Sequence, residues 1–133
     1  MNIQDIEGIG ETYAEKLKDA GVQTTDNLLA KGRTPKGREE LAAATGLSKT
    51  QILEWVNRAD LYRISGIGSE YADLLEAAEV DTVAELANRN AENLTEKLKK
   101  VNEEKQKVRS VPSVEQVGKW IEEAKSLPRA VEY

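Results

Sequence analysis

Two runs of basic side chains are the residues best placed to do chemistry in this sequence: Lys31, Arg33, Lys36, Arg38 and Lys49, then Lys97, Lys99, Lys100, Lys105, Lys107 and Arg109. The chemistry would be electrostatic. Clustered Lys and Arg hold a polyanion by displacing its condensed counterions, without reading sequence. Neither run contains an aromatic residue that could stack on a base. Glu39, Glu40, Glu103 and Glu104 lie among these cations, so the competing reading is a solvated helix face laced with ion pairs.

Catalysis has little to work with. The 133 residues include no Cys and no His, which removes disulfides, thiolate and imidazole metal ligands, and every nucleophile system that needs a His base. Carboxylates are numerous, yet no pair is isolated in apolar sequence where burial would raise a pKa. Gly8-x-Gly10 lacks the third glycine of a dinucleotide fingerprint and follows no strand signal. We expect no enzyme, no cofactor and no bound metal.

The whole-chain balance of 24 acidic against 19 basic residues, a net charge of −5, opposes a surface that holds nucleic acid throughout. Two Trp, four Tyr and no Phe leave an aliphatic core. No apolar run is long enough to span a bilayer, and MNIQDIEGIG has neither a basic n-region nor an apolar h-region. The expectation is a soluble cytoplasmic protein with no membrane contact.

The elements that must position the charges are helical. Ala14, Leu17 and Ala20, and likewise Leu74, Leu75 and Ala78, keep a three-to-four spacing. Gly21 suits the residue after a helix, Thr34-Pro35 reads as N-cap then first helical position, and Ser48 with Gln51, Thr82 with Glu85 and Ser113 with Gln116 match capping boxes. Helices are predicted over 11–20, 25–31, 35–45, 49–63, 69–79, 83–89, 92–106 and 114–127, with short helical turns before the two Gly-Ile-Gly segments.

The chain also repeats itself. At a shift of 58 residues, 8–30 overlays 66–88 with identity at Gly8/Gly66, Ile9/Ile67, Gly10/Gly68, Tyr13/Tyr71, Ala14/Ala72, Leu17/Leu75, Ala20/Ala78, Val22/Val80, Thr24/Thr82 and Leu28/Leu86. At a shift of 65, Ser48 meets Ser113, Trp55 meets Trp120 and Ala59 meets Ala124. The second copy therefore carries a seven-residue insertion, placed between Asn90 and Arg109. We read residues 1–62 and 63–127 as two repeats and 128–133 as a tail beyond Pro128 that either docks or stays loose. Glu79 in place of Gly21, and Pro112-Ser113 in place of Leu47-Ser48, predict that the second copy turns differently. Trp55 and Trp120 are expected to seal the core of each half, with Tyr13 and Tyr71 packing against their own glycine turns.

Gly8-Ile9-Gly10 with Ala14 and Leu17, and Gly66-Ile67-Gly68 with Ala72 and Leu75, fit G-h-G-x-x-x-A-x-x-h, where h is apolar. This resembles the helix-hairpin-helix motif, in a SAM-like tandem arrangement. The segment from Arg38 through Trp55, with ATGLSKTQILEW at its centre, resembles a weaker partner hairpin. The whole chain is similar to a family of small bacterial proteins of uncharacterised function built from such repeats. The resemblance implies an all-α fold of two repeats packed as one compact helical unit. It also implies a role in which the amides of Gly8, Ile9, Gly10 and of Gly66, Ile67, Gly68 take a backbone phosphate.

The neighbouring charges oppose that role. From Ser65 to Asn88 there are six carboxylates and no Lys or Arg, and Glu11, Glu15, Glu70 and Asp73 follow the second glycines. Our first expectation is therefore a non-catalytic binding or scaffold module with a protein partner, whose glycine turns serve architecture. The alternative is sequence-independent DNA or RNA backbone binding through amides at Gly46 and Ser48, with Lys49 and the basic runs beside them.

Overall fold

The computed structural model describes residues 2–6 and 8–133. They form a short 3-10 turn, Ile3–Asp5, and eight α-helices: α1 Glu11–Asp19, α2 Thr25–Lys31, α3 Pro35–Thr45, α4 Lys49–Leu61, α5 Ser69–Ala77, α6 Val83–Ala87, α7 Ala91–Lys105 and α8 Val114–Ser126. The described residues contain no strand, only one antiparallel bridge between Asn2 and Thr24. The fold is all-α, and each helix ends within two residues of its expected position. The 3-10 turn precedes the first Gly-Ile-Gly. Before the second, the chain makes turn bonds such as Ile64 N–H to Leu61 O but no helix.

Caps explain most helix boundaries. The hydroxyls of Thr24, Thr34, Thr82 and Ser113, and the carboxamide of Asn90, each accept the N–H three residues on. Ser48 Oγ accepts the Gln51 N–H at 3.1 Å in the same way at the start of α4.

The chain divides into two units, Met1–Asp60 with Ala130–Tyr133, and Leu61–Arg129. In the first, Ile3, Ile6, Leu17, Leu28, Ile52 and Trp55 are buried. In the second, Leu61, Ile64, Leu75, Leu86, Leu98 and Trp120 belong to one cluster. Both interiors are aliphatic around a single Trp. The tail docks: Val131 is buried, and the Glu132 N–H donates to Arg33 O at 2.8 Å.

Contrary to expectation, Glu79 does not make the second unit turn differently. Gly21 N–H reaches Lys18 O at 2.9 Å and Val22 N–H reaches Leu17 O at 2.8 Å; Glu79 N–H reaches Glu76 O at 2.8 Å and Val80 N–H reaches Leu75 O at 2.9 Å. This is the Schellman pattern in both places. Glu79 adopts the left-handed conformation at φ 69°, against 87° for Gly21. Ser113 likewise caps α8 as Ser48 caps α4. The third helix differs in length between the units: α7 has 15 residues against 11 in α3, and a longer connection follows it.

Candidate functional site

Each Gly-Ile-Gly turn is built the same way. Gly8 and Gly66 have φ of 94° and 89°, a region glycine enters without the steric penalty of a Cβ. Ile9 and Ile67 are buried and donate to Ile6 O and Ile64 O, each at 3.2 Å. Gly10 and Gly68 are extended N-caps whose carbonyls accept from Ala14 and Ala72 at 2.9 Å. Against each turn lies a Trp: a Cβ on Gly8 would sit 3.7 Å from Trp55 Nε1, and one on Gly66 would sit 3.3 Å from Trp120 Nε1. Tyr13 packs tilted against Trp55 with ring centroids 5.6 Å apart and 51° between planes, and Tyr71 against Trp120 at 5.2 Å and 59°. Both Trp residues are buried, as expected, and the tyrosines reach the turns through them.

Electrostatics set what these turns can hold. Neither α1 nor α5 has a side-chain cap, and Glu11 and Glu70 stand in their first turns. Acids there favour the positive helix end and oppose a second anion. Beside the second turn, Glu123 already supplies a carboxylate: Oε2 accepts the Ser65 N–H at 2.8 Å, and Oε1 accepts the Ser65 hydroxyl at 2.9 Å. Glu11, Glu15 and Glu70 are exposed. Asp73 is not part of that acidic surface, because it is buried and partnered.

The first basic run does not survive as one patch. Arg38 is a correction to the expected binding set: it is 6% exposed, and its guanidinium donates to Gly32 O at 2.8 Å, Arg33 O at 3.1 Å and Glu132 O at 2.6 Å. Of the amides expected near Gly46, two are spent, Gly46 N–H on Ala42 O and Leu47 N–H on Thr45 Oγ1. Ser48 is exposed but its hydroxyl caps α4. Lys31 Nζ donates to Ala20 O, Arg33 lies 3.8 Å from Glu132 and Lys49 lies 3.7 Å from Glu39. Lys36 is exposed and, among the described residues, has no ion pair.

The second run is looser. Lys97 pairs with Glu79 at 3.4 Å and Lys99 with Glu96 at 3.6 Å. Lys100, Lys105, Lys107 and Arg109 are exposed and make no ion pair among the described residues. Asn102 fixes the connection after α7, donating to Val108 O at 3.0 Å and accepting its N–H at 2.9 Å. Lys107 and Arg109 consequently line an open cavity of about 450 Å³ together with Glu70. Sequence reasoning missed this meeting, the Ser65–Glu123 clamp and the burial of Arg38. Only the last left a signal, since Arg38, Leu41 and Thr45 recur at the spacing of one helix face and all three are buried.

Among the described residues no group of three or more Asp or Glu side chains is arranged to hold a metal ion, and no helix is long and apolar enough to cross a membrane. No curated protein and no solved structure matches the chain. One family model does, over residues 7–127, and it spans both glycine turns and all eight helices: the chain belongs to the family described as Domain of unknown function (DUF4332).

Proposed function

We propose that the chain is a non-catalytic binding or scaffold module of two helix-hairpin-helix repeats, working through contacts with a protein partner. The repeat reading draws support from positions 58 residues apart that make the same turns and caps, and from Tyr13 and Tyr71, 58 apart, each packing on a Trp of a pair 65 apart. The observation that carries the protein-binding reading is the Glu123 carboxylate seated on the Ser65 donors next to Gly66. A polyanion brought to that turn would have to displace an intramolecular anion and then meet Glu70. At the first turn it would meet Glu11 and Glu15.

The test is fluorescence anisotropy with labelled duplex and single-stranded DNA at low salt. The native chain is expected to give no binding, whereas Glu11→Lys, Glu15→Lys and Glu70→Lys together create binding with a log–log salt slope of about −2 to −3. Binding by the native chain with a slope of about −3 or steeper overturns the reading. A second reading, contact with a nucleic-acid backbone, is favoured by one observation: Lys107 and Arg109 share a cavity with the first turn of α5. It requires Lys107→Glu with Arg109→Glu to abolish such binding for every sequence alike.

A further inference from the structure

The tail makes a set of contacts too specific for a loose end. Val131 is 3% exposed. The backbone of Glu132 is read on both sides, its N–H by Arg33 O at 2.8 Å and its carbonyl by Arg38 Nη2 at 2.6 Å. Its side chain lies 3.8 Å from Arg33 Nε. The Tyr133 hydroxyl donates to Asn57 Oδ1 at 3.2 Å, and its ring lies 6.0 Å from the Arg38 guanidinium carbon. The aliphatic side chain is thus buried, while Arg33 and Arg38 meet the peptide unit, Arg33 the acid, and Asn57 and Arg38 the aromatic.

The receiving surface is built to be covered. Arg38 is buried on the inward face of α3 and directs one guanidinium nitrogen to Gly32 O and Arg33 O and the other to the tail. Without the tail, Arg38 Nη2 loses its carbonyl, and Arg33 O keeps only the bond from Arg38 Nη1. A guanidinium nitrogen is costly to leave without an acceptor on a side chain as little exposed as Arg38. Recognition through backbone donors and acceptors, with side-chain positions supplying selectivity, is how proteins take up extended peptides.

We propose that this surface of the first unit, formed by Gly32, Arg33, Arg38 and Asn57, is a docking site for an extended peptide with an aliphatic–acidic–aromatic sequence presented by a partner protein. Val131-Glu132-Tyr133 is the intramolecular stand-in for that ligand. The site is separate from the glycine turns and does not depend on what they bind. A tethered segment competes at a local concentration in the millimolar range, so a partner peptide gains access in proportion to how readily the tail leaves.

The probe is the synthetic peptide acetyl-Arg-Ala-Val-Glu-Tyr-amide, titrated into isotopically labelled full chain and followed by the amide signals of Gly32, Arg33 and Asn57 and the side-chain N–H of Arg38. Glu132→Pro clears the tail by removing the N–H that Arg33 O accepts. This variant is expected to bind saturably, about tenfold more tightly than the native chain, whose own tail competes. Adding Arg38→Met, or replacing the peptide's Val by Asp, should abolish binding. No shifts with Glu132→Pro, equal affinity for variant and native chain, or undiminished binding of the Asp peptide each overturn the proposal. Should Glu132→Pro disturb the unit itself, seen as loss of amide dispersion, Val131→Asp clears the tail by another route with the same expected outcomes.

Discussion

The third helices of the two units show how one scaffold closes its interior in two ways. α3 and α7 both start from a side-chain cap, Thr34 or Asn90, and four residues on stand Arg38 and Leu94, both buried. Leu94 sits in the aliphatic cluster of the second unit. Arg38 cannot be satisfied by hydrocarbon, so its position is completed by carbonyls, one of them 94 residues away in the tail. The second unit instead spends its extra residues on a longer α7 and a connection locked by Asn102. A charged residue at an inward position thus recruits distant chain, whereas an apolar one lets the unit close on itself.

The comparison breaks most severely if the residues are exchanged. Leu94→Arg places a guanidinium among Leu, Val and Trp side chains without acceptors, and should cost about 5 kcal/mol, measured as a fall in the urea midpoint of the second unit. Arg38→Leu should cost less, about 2–3 kcal/mol, because it removes the charge along with the bonds and leaves only carbonyls unpaired. It should also release Ala130–Tyr133, seen as fast amide exchange at Glu132. Equal costs for the two substitutions would mean that tail docking, and not burial of charge, separates the units.

What the sequence made legible is what local chemistry determines. Glycine at Gly8 and Gly66, hydroxyls at Thr24, Thr34, Thr82 and Ser113, and the spacing of Trp55 and Trp120 each act within a few residues of where they stand or recur in the repeat, and helix positions followed. Ser65 with Glu123, and Arg38 with Glu132, are separated by 58 and 94 residues and have no counterpart pattern to announce them. The basic runs were grouped by sequence proximity, but helix geometry sends Arg38 inward and Lys31 to the end of α1. The Glu79 expectation failed because Gly is the usual left-handed residue but not an obligatory one, and Val80 with Leu75 closes the helix end regardless.

The two glycine turns offer a finer test. Alanine at either position must adopt positive φ, a cost of about 1–2 kcal/mol. At Gly8 the added methyl meets Trp55 Nε1 at 3.7 Å, ordinary contact; at Gly66 it meets Trp120 Nε1 at 3.3 Å, where the indole must give way. Gly66→Ala is therefore expected to be the more destabilising of the pair by about 0.5 kcal/mol in chemical denaturation, with a larger change in Trp120 fluorescence. A larger loss from Gly8→Ala would show that the first turn tolerates less movement than its wider gap implies.

The smallest effect separates the helix ends at Gly21 and Glu79. Glycine at position 79 relieves a left-handed strain of about 1–2 kcal/mol but gives back about 0.4–1 kcal/mol through the greater freedom of the unfolded chain. It also removes the ion pair with Lys97, in which the Glu79 side chain is 82% exposed; such a pair contributes at most a few tenths of a kcal/mol. The Arg89 bond to the Glu79 carbonyl survives, since it uses only backbone. Glu79→Gly should therefore stabilise the second unit by roughly 0.5 kcal/mol, visible as a small rise in urea midpoint, and the gain should grow slightly with salt as the lost pair matters less. A net loss would assign the Lys97 contact more weight than its exposure permits, making Glu79 a residue held in place by charge and not merely tolerated in a glycine's position.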